Sequence, residues 1–169
     1  TGVEHLSELG HRRIVALMRE TASDDAHARQ DQARELRRAA QELGVEVLVR
    51  QVPEAALAGA EIVGAGGLIE GCSAVLSNNP AAVVGLACAA QAHGLCVPAD
   101  LSVLTLGITQ GNGRHGEAFS ELSVDRGSMG AEAGSLLLRC LRGEPDPAQH
   151  RGLMPAVLTD RGTTALCRS

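Results

Sequence analysis

Short apolar runs recur along the chain and alternate with longer stretches that have helical periodicity. The apolar runs have the length and flanking residues of buried β-strands, and they cover residues 13–18, 45–52, 73–77, 101–106, 122–124 and 156–159. Helical stretches cover residues 25–43, 53–71 (weakened by glycines), 79–94 and 126–143, and "HLSELG" forms a short helix before the first strand. Strands that alternate with crossover helices predict an α/β fold with a mainly parallel sheet flanked by helices on both faces.

The helix over 79–94 has the clearest boundaries. Asn79 is a typical N-cap, Pro80 suits the first helical position, and Gly94 suits the C-terminal end. Asn78 lies between this helix and the preceding strand, and its amide can both donate to and accept from a polar ligand. Because ligands of parallel sheets bind beyond the carboxyl ends of the strands, Asn78 is a candidate binding residue. A role limited to the turn beside Asn79 explains it equally well.

Composition restricts the partners of this chain. Arginine supplies all 15 basic residues, and with 20 acidic residues the formal net charge is −5. An acidic chain is a poor non-specific partner for DNA, so any DNA contact is expected outside this sequence. Phe119 is the one aromatic residue, so a pocket here lacks the aromatic plates on which sugars and bases stack. No apolar run approaches the roughly 20 residues that cross a bilayer, and no membrane association is expected.

No arrangement of residues in the sequence predicts catalysis or metal binding. The glycine-rich run 64–71 closes a helix instead of opening one, which is the wrong context for a dinucleotide-binding loop. The histidines lack the spacing of metal ligands, and His11 and His93, beside helix-ending glycines, are expected at the surface. Asp24 and Asp25 are typical of a helix N-terminus. We therefore expect a protein that is not an enzyme and that holds no cofactor or metal.

Four segments resemble, in order, the effector-binding core of the LacI/GalR family of bacterial transcriptional regulators. "HLSELGHRRIVAL" resembles the family's helix-turn-strand segment, H-L-x-x-L-G-H-x-x-I. "AVLSNNPAAVVGLACAAQAHGLCVPADLSVLTLG" resembles its A-[VIL]-x-x-x-N-D-x-x-A-x-G run followed by G-[IL]-x-V-P-x-D-[IL]-S-V. "LSVDRGSMGAEAGSLLLRCLRGEP" resembles its late helix, and "LMPAVLTDRGTTA" resembles its closing strand. Together the four segments span nearly the whole chain.

The resemblance implies a class I periplasmic-binding-protein-like subdomain, one of two that are joined by three crossovers. Residues 1–115 and 148–169 would form the C-terminal subdomain, and residues 116–147 a strand and helix that belong to the N-terminal subdomain. The DNA-binding head and most of the N-terminal subdomain would lie outside this sequence. The implied function is allosteric, because a small polar effector binds between the subdomains of a cytoplasmic homodimer and changes its affinity for operator DNA.

The implied effector site consists of four residues, and it departs from the family pattern. The family has an Asn-Asp pair where this chain has Asn78 and Asn79, so the amide is kept and the acid is lost. Where the family often has an aspartate that accepts hydrogen bonds from sugar hydroxyls, this chain has Gly107. A family arginine in the helix after the first strand corresponds to Arg29 when counted forward from the strand, or to Gln32 when counted back from the helix end. We favour Arg29, because guanidinium groups bind polyol or carboxylate oxygens well.

These departures predict an effector other than a standard hexose, or a pocket that has lost its effector. Two other functions are compatible with the fold. A solute-binding protein of a transport system has the same fold, and a signal peptide upstream, instead of a helix-turn-helix, would identify it. A flavodoxin-like or other α/β enzyme is permitted by the fold, but the sequence offers no placed nucleophile, base or set of metal ligands.

Overall fold

A computed structural model of the chain describes residues 1–20, 26–63, 69, 71–107, 118–143 and 154–168, with the backbone alone at 26–29. The helices are α1 (Gly2–Glu8), α2 (Ala26–Leu43), α3 (Ala56–Ala60), α4 (Pro80–Ala92) and α5 (Arg126–Leu141). The strands are β1 (Arg13–Arg19), β2 (Glu46–Val52), β3 (Ala74–Ser77), β4 (Ser102–Leu106), β5 (Ser120–Ser123) and β6 (Val157–Thr159). The weak helix predicted over 53–71 is confirmed only within α3, and much of its remainder lies outside the described residues.

Within the described residues, the strands form one sheet in the order β2-β1-β3-β4-β5-β6. The first five strands in this order are parallel, and β6 is antiparallel to β5. One apolar cluster packs α4 and the residues after α3 on one face, and a second cluster packs α1 and α2 on the other. The predicted α/β fold, with a mainly parallel sheet flanked by helices on both faces, is confirmed.

Helices α3 and α4 approach each other most closely through two glycines. A Cβ atom at Gly59 would overlap the carbonyl oxygen of Ala82, and one at Gly85 would overlap that of Ala56. Both glycines are buried, so the two backbones meet only because neither residue has a side chain. This contact holds α3 against α4 and closes that face of the sheet.

Strand β5 is part of this sheet, between β4 and β6. Ser120 lies opposite Leu104 of β4 in a parallel pair. Glu121 is only 1% exposed in β5, and Arg161 Nη1 lies 3.5 Å from its carboxylate. A buried carboxylate requires such a partner, and this pairing lets a polar segment form an internal strand. The assignment of residues 116–147 to an N-terminal subdomain stays a prediction, although β5 pairs with β4 in the sheet described here.

Helix α5 differs from the other helices because none of its described residues is buried. Its apolar side chains are open to solvent at Leu137 (61% exposed), Leu138 (54%) and Leu141 (76%). An amphipathic helix is stable when its apolar side is covered, so this surface is suited to contact with another domain. We predict that this domain is the second subdomain. Most residues of the glycine- and asparagine-rich segment 107–117 and of segment 143–152 lie outside the described residues.

The amino ends of β1, β3 and β4 meet around His11, which is 2% exposed. Its Nε2 lies 3.0 Å from the carbonyl oxygen of Ala165, and its Nδ1 lies 2.7 Å from Ser73 Oγ. Because a carbonyl oxygen can only accept, Nε2–H donates to it and Nδ1 accepts from the serine hydroxyl. The expected surface position is wrong for His11, since these polar partners satisfy the buried ring. It is correct for His93, which is exposed.

Burial lowers the pKa of His11, because desolvation disfavours the imidazolium form. The unfolded chain therefore binds a proton at higher pH than the folded chain does, so the free energy of unfolding should fall as the pH drops below about 6.5. Urea unfolding on both sides of that pH measures the fall. His11→Asn should remove this part of the pH dependence, and His93→Asn should keep it. An unchanged pH dependence in His11→Asn would contradict this role.

Candidate functional site

Three strands end side by side at the carboxyl edge of the sheet. Ser77 of β3 pairs with Leu17 of β1 and with Thr105 of β4, so the three strands leave the sheet at the same level. The sequence predicts that these strand ends share one edge, and the register confirms it. Asn78 follows the central strand of the three, which is where ligands of parallel α/β sheets bind.

Asn78 joins the end of β1 to helix α2. Its Oδ1 accepts a hydrogen bond from the backbone N–H of Arg19 at 2.7 Å, and its Nδ2 lies 3.4 Å from Gln32 Oε1. Because a backbone N–H can only donate, the bond from Arg19 identifies the oxygen of the amide and leaves its N–H donors on the other side. The residue is half-buried, so a ligand at this edge can reach it.

Asn79 has a different role, which is to connect helix α4 to the end of β2. Its Oδ1 accepts from the backbone N–H of Ala82 at 3.2 Å and caps α4, as the sequence predicts. Its Nδ2 donates to the carbonyl oxygens of Val52 at 3.2 Å and Pro53 at 2.9 Å. The side chain is fully buried and both amide hydrogens are engaged, so no donor is left for a ligand. We therefore correct the predicted effector contact of Asn79 to a structural one.

The family arginine corresponds to Arg29 or to Gln32, depending on the direction of counting, and the structure describes the side chain of Gln32 alone. Arg29 lies in the first turns of α2, and its side chain lies outside the described residues. Gln32 lies about one turn further along the helix, and its side chain contacts Asn78. Of the described side chains of α2, Gln32 is therefore the one that reaches the strand-end amide. Arg29 remains a candidate that the described residues do not test.

Gly107 ends β4 in a left-handed backbone conformation, with φ of +62°. Its N–H donates to the carbonyl oxygen of Leu122 at 3.0 Å, and its own carbonyl accepts from Arg126 Nη2 at 3.3 Å. No atom of the described residues lies within 4 Å of where a Cβ would be, but the backbone conformation disfavours any side chain. No pattern in the sequence indicates Arg126, whose contact depends on pairing between β4 and β5.

Two of the described carboxylates near this edge, Glu54 and Asp125, have partners. Arg19 Nη1 lies 3.3 Å from the carboxylate of Glu54, in a pair that is almost half exposed and adds little stability. Hydrogen bonds from Ser128 and Gly127 lower the pKa of Asp125, which caps α5. These bonds hold the carboxylate of Asp125 at the start of the helix.

The described part of the chain has no group of three or more His, Cys, Asp or Glu side chains that could hold a metal ion. Nor is any helix among the described residues both long and apolar enough to cross a membrane. The groups described at the carboxyl edge are amides and charged side chains, which bind ligands through hydrogen bonds and ion pairs.

The chain matches the family of the periplasmic binding protein-like domain over residues 3–164. A LacI family transcriptional regulator from Bifidobacterium animalis subsp. lactis is 22% identical, with a TM-score of 0.76 over 99% of this chain and 60% of that chain. The dimeric Lac repressor with an 11-residue C-terminal deletion is 24% identical, with a TM-score of 0.71 over 99% and 60%. The Lac repressor bound to ONPG in the repressed state is 25% identical, with a TM-score of 0.69 over 96% and 49%. A search of curated proteins found no match.

The chain thus spans no more than about 60% of the length of these solved structures. The family match nevertheless covers almost all of this chain, and the shared fold includes the parallel sheet with its strand-end edge. The resemblance of the four sequence segments is confirmed: the chain belongs to the periplasmic binding protein-like domain family, in the form found in LacI-family transcriptional regulators.

Proposed function

We propose that this chain is the ligand-sensing lobe of a cytoplasmic LacI-type regulator, in which a small polar effector controls binding to operator DNA. The observation that carries the proposal is the shared carboxyl edge of β1, β3 and β4, with the reachable amide of Asn78 at its centre. We assign operator contact to a domain outside this sequence, in keeping with the net charge of −5.

The exposed apolar side chains of α5 favour the presence of a second lobe in the assembly. Leu137, Leu138 and Leu141 are each more than half exposed, although they belong to a capped helix of 16 residues. Contact with another lobe would cover these leucines. It would also place that lobe beyond the carboxyl edge, where α5 begins. The effector would then bind between the two lobes and contact Asn78 from one side.

Control of DNA binding requires that the effector bind one arrangement of the lobes better than the other. A coupling free energy of about 1–3 kcal/mol, which is typical of allosteric proteins, changes operator affinity about 5- to 150-fold. We further propose a homodimer, because one of the similar structures is a dimeric Lac repressor. Two DNA-binding heads in a dimer would respond together to the arrangement of the lobes.

The test is effector-dependent DNA binding by the protein expressed from its complete gene. Fluorescence anisotropy with DNA from its own promoter region should show high affinity, and one small polar metabolite should change that affinity about fivefold or more. Asn78→Ala should remove the response to the metabolite and keep the affinity measured without it. Gln41→Ala, at an exposed position of α2, is the control. Metabolite binding by a protein that never binds DNA would refute the regulator and favour a solute-binding protein.

A further inference from the structure

We propose that the effector carries an anionic group, either a carboxylate or a phosphate, and that Arg126 is the residue that selects for it. This inference rests on the proposed sensing function of the carboxyl edge. It concerns the side of that edge just beyond the ends of β4 and β5, where Gly107 follows β4 and Arg126 begins α5.

The polar groups that remain available at the centre of the edge are hydrogen-bond donors. The oxygen of the Asn78 amide accepts from the backbone N–H of Arg19, and one Nδ2 hydrogen is directed at Gln32 Oε1, so one N–H donor of Asn78 remains. Gln32 uses its amide oxygen in this contact, and no described residue accepts from its own N–H donors. A ligand that sits against both residues meets N–H groups and must supply the acceptors.

Among the described residues, the acceptors near the end of β4 are either absent or occupied. Gly107 has no side chain, and its carbonyl oxygen accepts from Arg126. The carboxylate of Asp125 accepts from Gly127 N and from Ser128 Oγ at the start of α5. The Thr105 hydroxyl donates to the carbonyl oxygen of Ser120 and is buried.

The described carboxylates on the β1 side, Glu20 and Glu54, do not supply acceptors beside Arg126. Glu54 is paired with Arg19. Glu20 is exposed beyond the end of β1, and β3 lies between β1 and β4. Strands are about 4.8 Å apart, so the end of β1 is about 10 Å from the end of β4. An anion beside Arg126 is therefore well separated from Glu20.

Arg126 supplies the positive charge at this place. Its guanidinium is exposed, and among the described residues it donates only to Gly107, with no carboxylate within 4 Å. A guanidinium has five N–H donors in a planar fork, so most of them remain free for the two oxygens of a carboxylate or phosphate. The bond to Gly107 holds the group over the end of β4.

A neutral polyol fits this set of groups less well. Each hydroxyl brings a hydrogen that needs an acceptor, and a buried hydroxyl hydrogen without one is unfavourable by about 1–3 kcal/mol. A carboxylate or a fully ionised phosphate only accepts, so it can take the free donors of Arg126 and the remaining N–H of Asn78 without a hydrogen left unpaired.

The test uses the protein from its complete gene with four probes: glucose, gluconate, glucose 6-phosphate and inorganic phosphate. We expect gluconate, glucose 6-phosphate or inorganic phosphate to raise the melting temperature more than glucose does. Gluconate and glucose 6-phosphate separate a carboxylate site from a phosphate site. In Arg126→Gln, the apparent affinity for the stabilising anion should fall about ten- to a hundredfold, as expected for a charge-assisted hydrogen bond. Arg126→Lys should recover part of it.

Arg37→Gln provides the matched control, because it removes the same charge from an exposed position of α2. It should leave anion binding unchanged, which excludes a general effect of salt or net charge. The inference is overturned if no anion stabilises the protein in a manner that depends on Arg126. A different result would be that glucose binds, that Arg126→Gln does not change this binding, and that glucose still releases the protein from DNA. That result would overturn the anion inference and leave the proposed function intact. Failure of every metabolite to affect DNA binding would remove the proposed function as well.

Discussion

Replacing Gly85 with alanine is expected to lower the free energy of unfolding by about 3 kcal/mol, at the upper end of the range for overpacked sites. The new Cβ atom would overlap the carbonyl oxygen of Ala56, which belongs to the backbone of α3 and cannot rotate away. Helix α3 would have to move off α4, and the apolar cluster beneath it would lose contacts. The better helix propensity of alanine, worth about 1 kcal/mol, offsets only part of this loss.

Gly134→Ala is the matched control, because Gly134 also lies inside a helix. No atom lies within 4 Å of its Cβ position, so the same substitution should raise the free energy of unfolding by about 0.5–1 kcal/mol. Urea unfolding of both variants measures the difference. Equal effects at the two positions would show that α3 and α4 do not cross through these glycines.

Replacing Asn79 with alanine is expected to lower the free energy of unfolding by about 2–3 kcal/mol. The loss of the cap leaves the N–H of Ala82 without its side-chain acceptor in a buried position. The two bonds from Nδ2 to Val52 and Pro53 are lost as well, although both carbonyls keep a backbone partner, in Glu20 and Ala55. The end of β2 would thereby lose its connection to α4.

Two variants separate the parts of this effect, with urea unfolding as the measurement. Asn79→Ser retains a capping oxygen but cannot donate to both carbonyls, so its loss of stability should be intermediate. Asn78→Ala, at the neighbouring half-buried position, should change stability much less and should instead impair effector binding. A larger loss of stability for Asn78→Ala than for Asn79→Ala would reverse the roles that the structure assigns to the two amides.

The strands and helix α4 could be predicted from the sequence because their signals are local. Asn79, Pro80 and Gly94 mark the ends of α4, and each has the predicted role in the structure. The shared carboxyl edge followed from the alternation of strands and helices, since parallel strands point the same way.

The errors concern contacts between segments that are distant in sequence. Glu121 is 1% exposed in β5, and one of its partners, Arg161, lies 40 residues later. His11 appears to be a surface histidine until Ser73 and Ala165 fold against it. No local pattern contains these partners.

The candidate site could be predicted only in part, for the same reason. Asn78 was identifiable from its position after a strand. Whether α2 directs Gln32 or Arg29 at it depends on the path between β1 and α2, which sequence periodicity does not determine. Arg126 reaches Gly107 only because β5 pairs beside β4. Position along a strand is thus visible in the sequence, whereas neighbours across strands are not.

Amide hydrogen exchange tests most directly whether the carboxyl edge is the sensing site. It should be measured on the complete protein with and without the metabolite that changes its DNA affinity. We predict slower exchange in the peptides that cover 17–20, 76–80 and 104–107, with no change at the amino edge around 9–13 and 163–168. Protection confined to the amino edge, or absent from all three strand ends, would contradict the account.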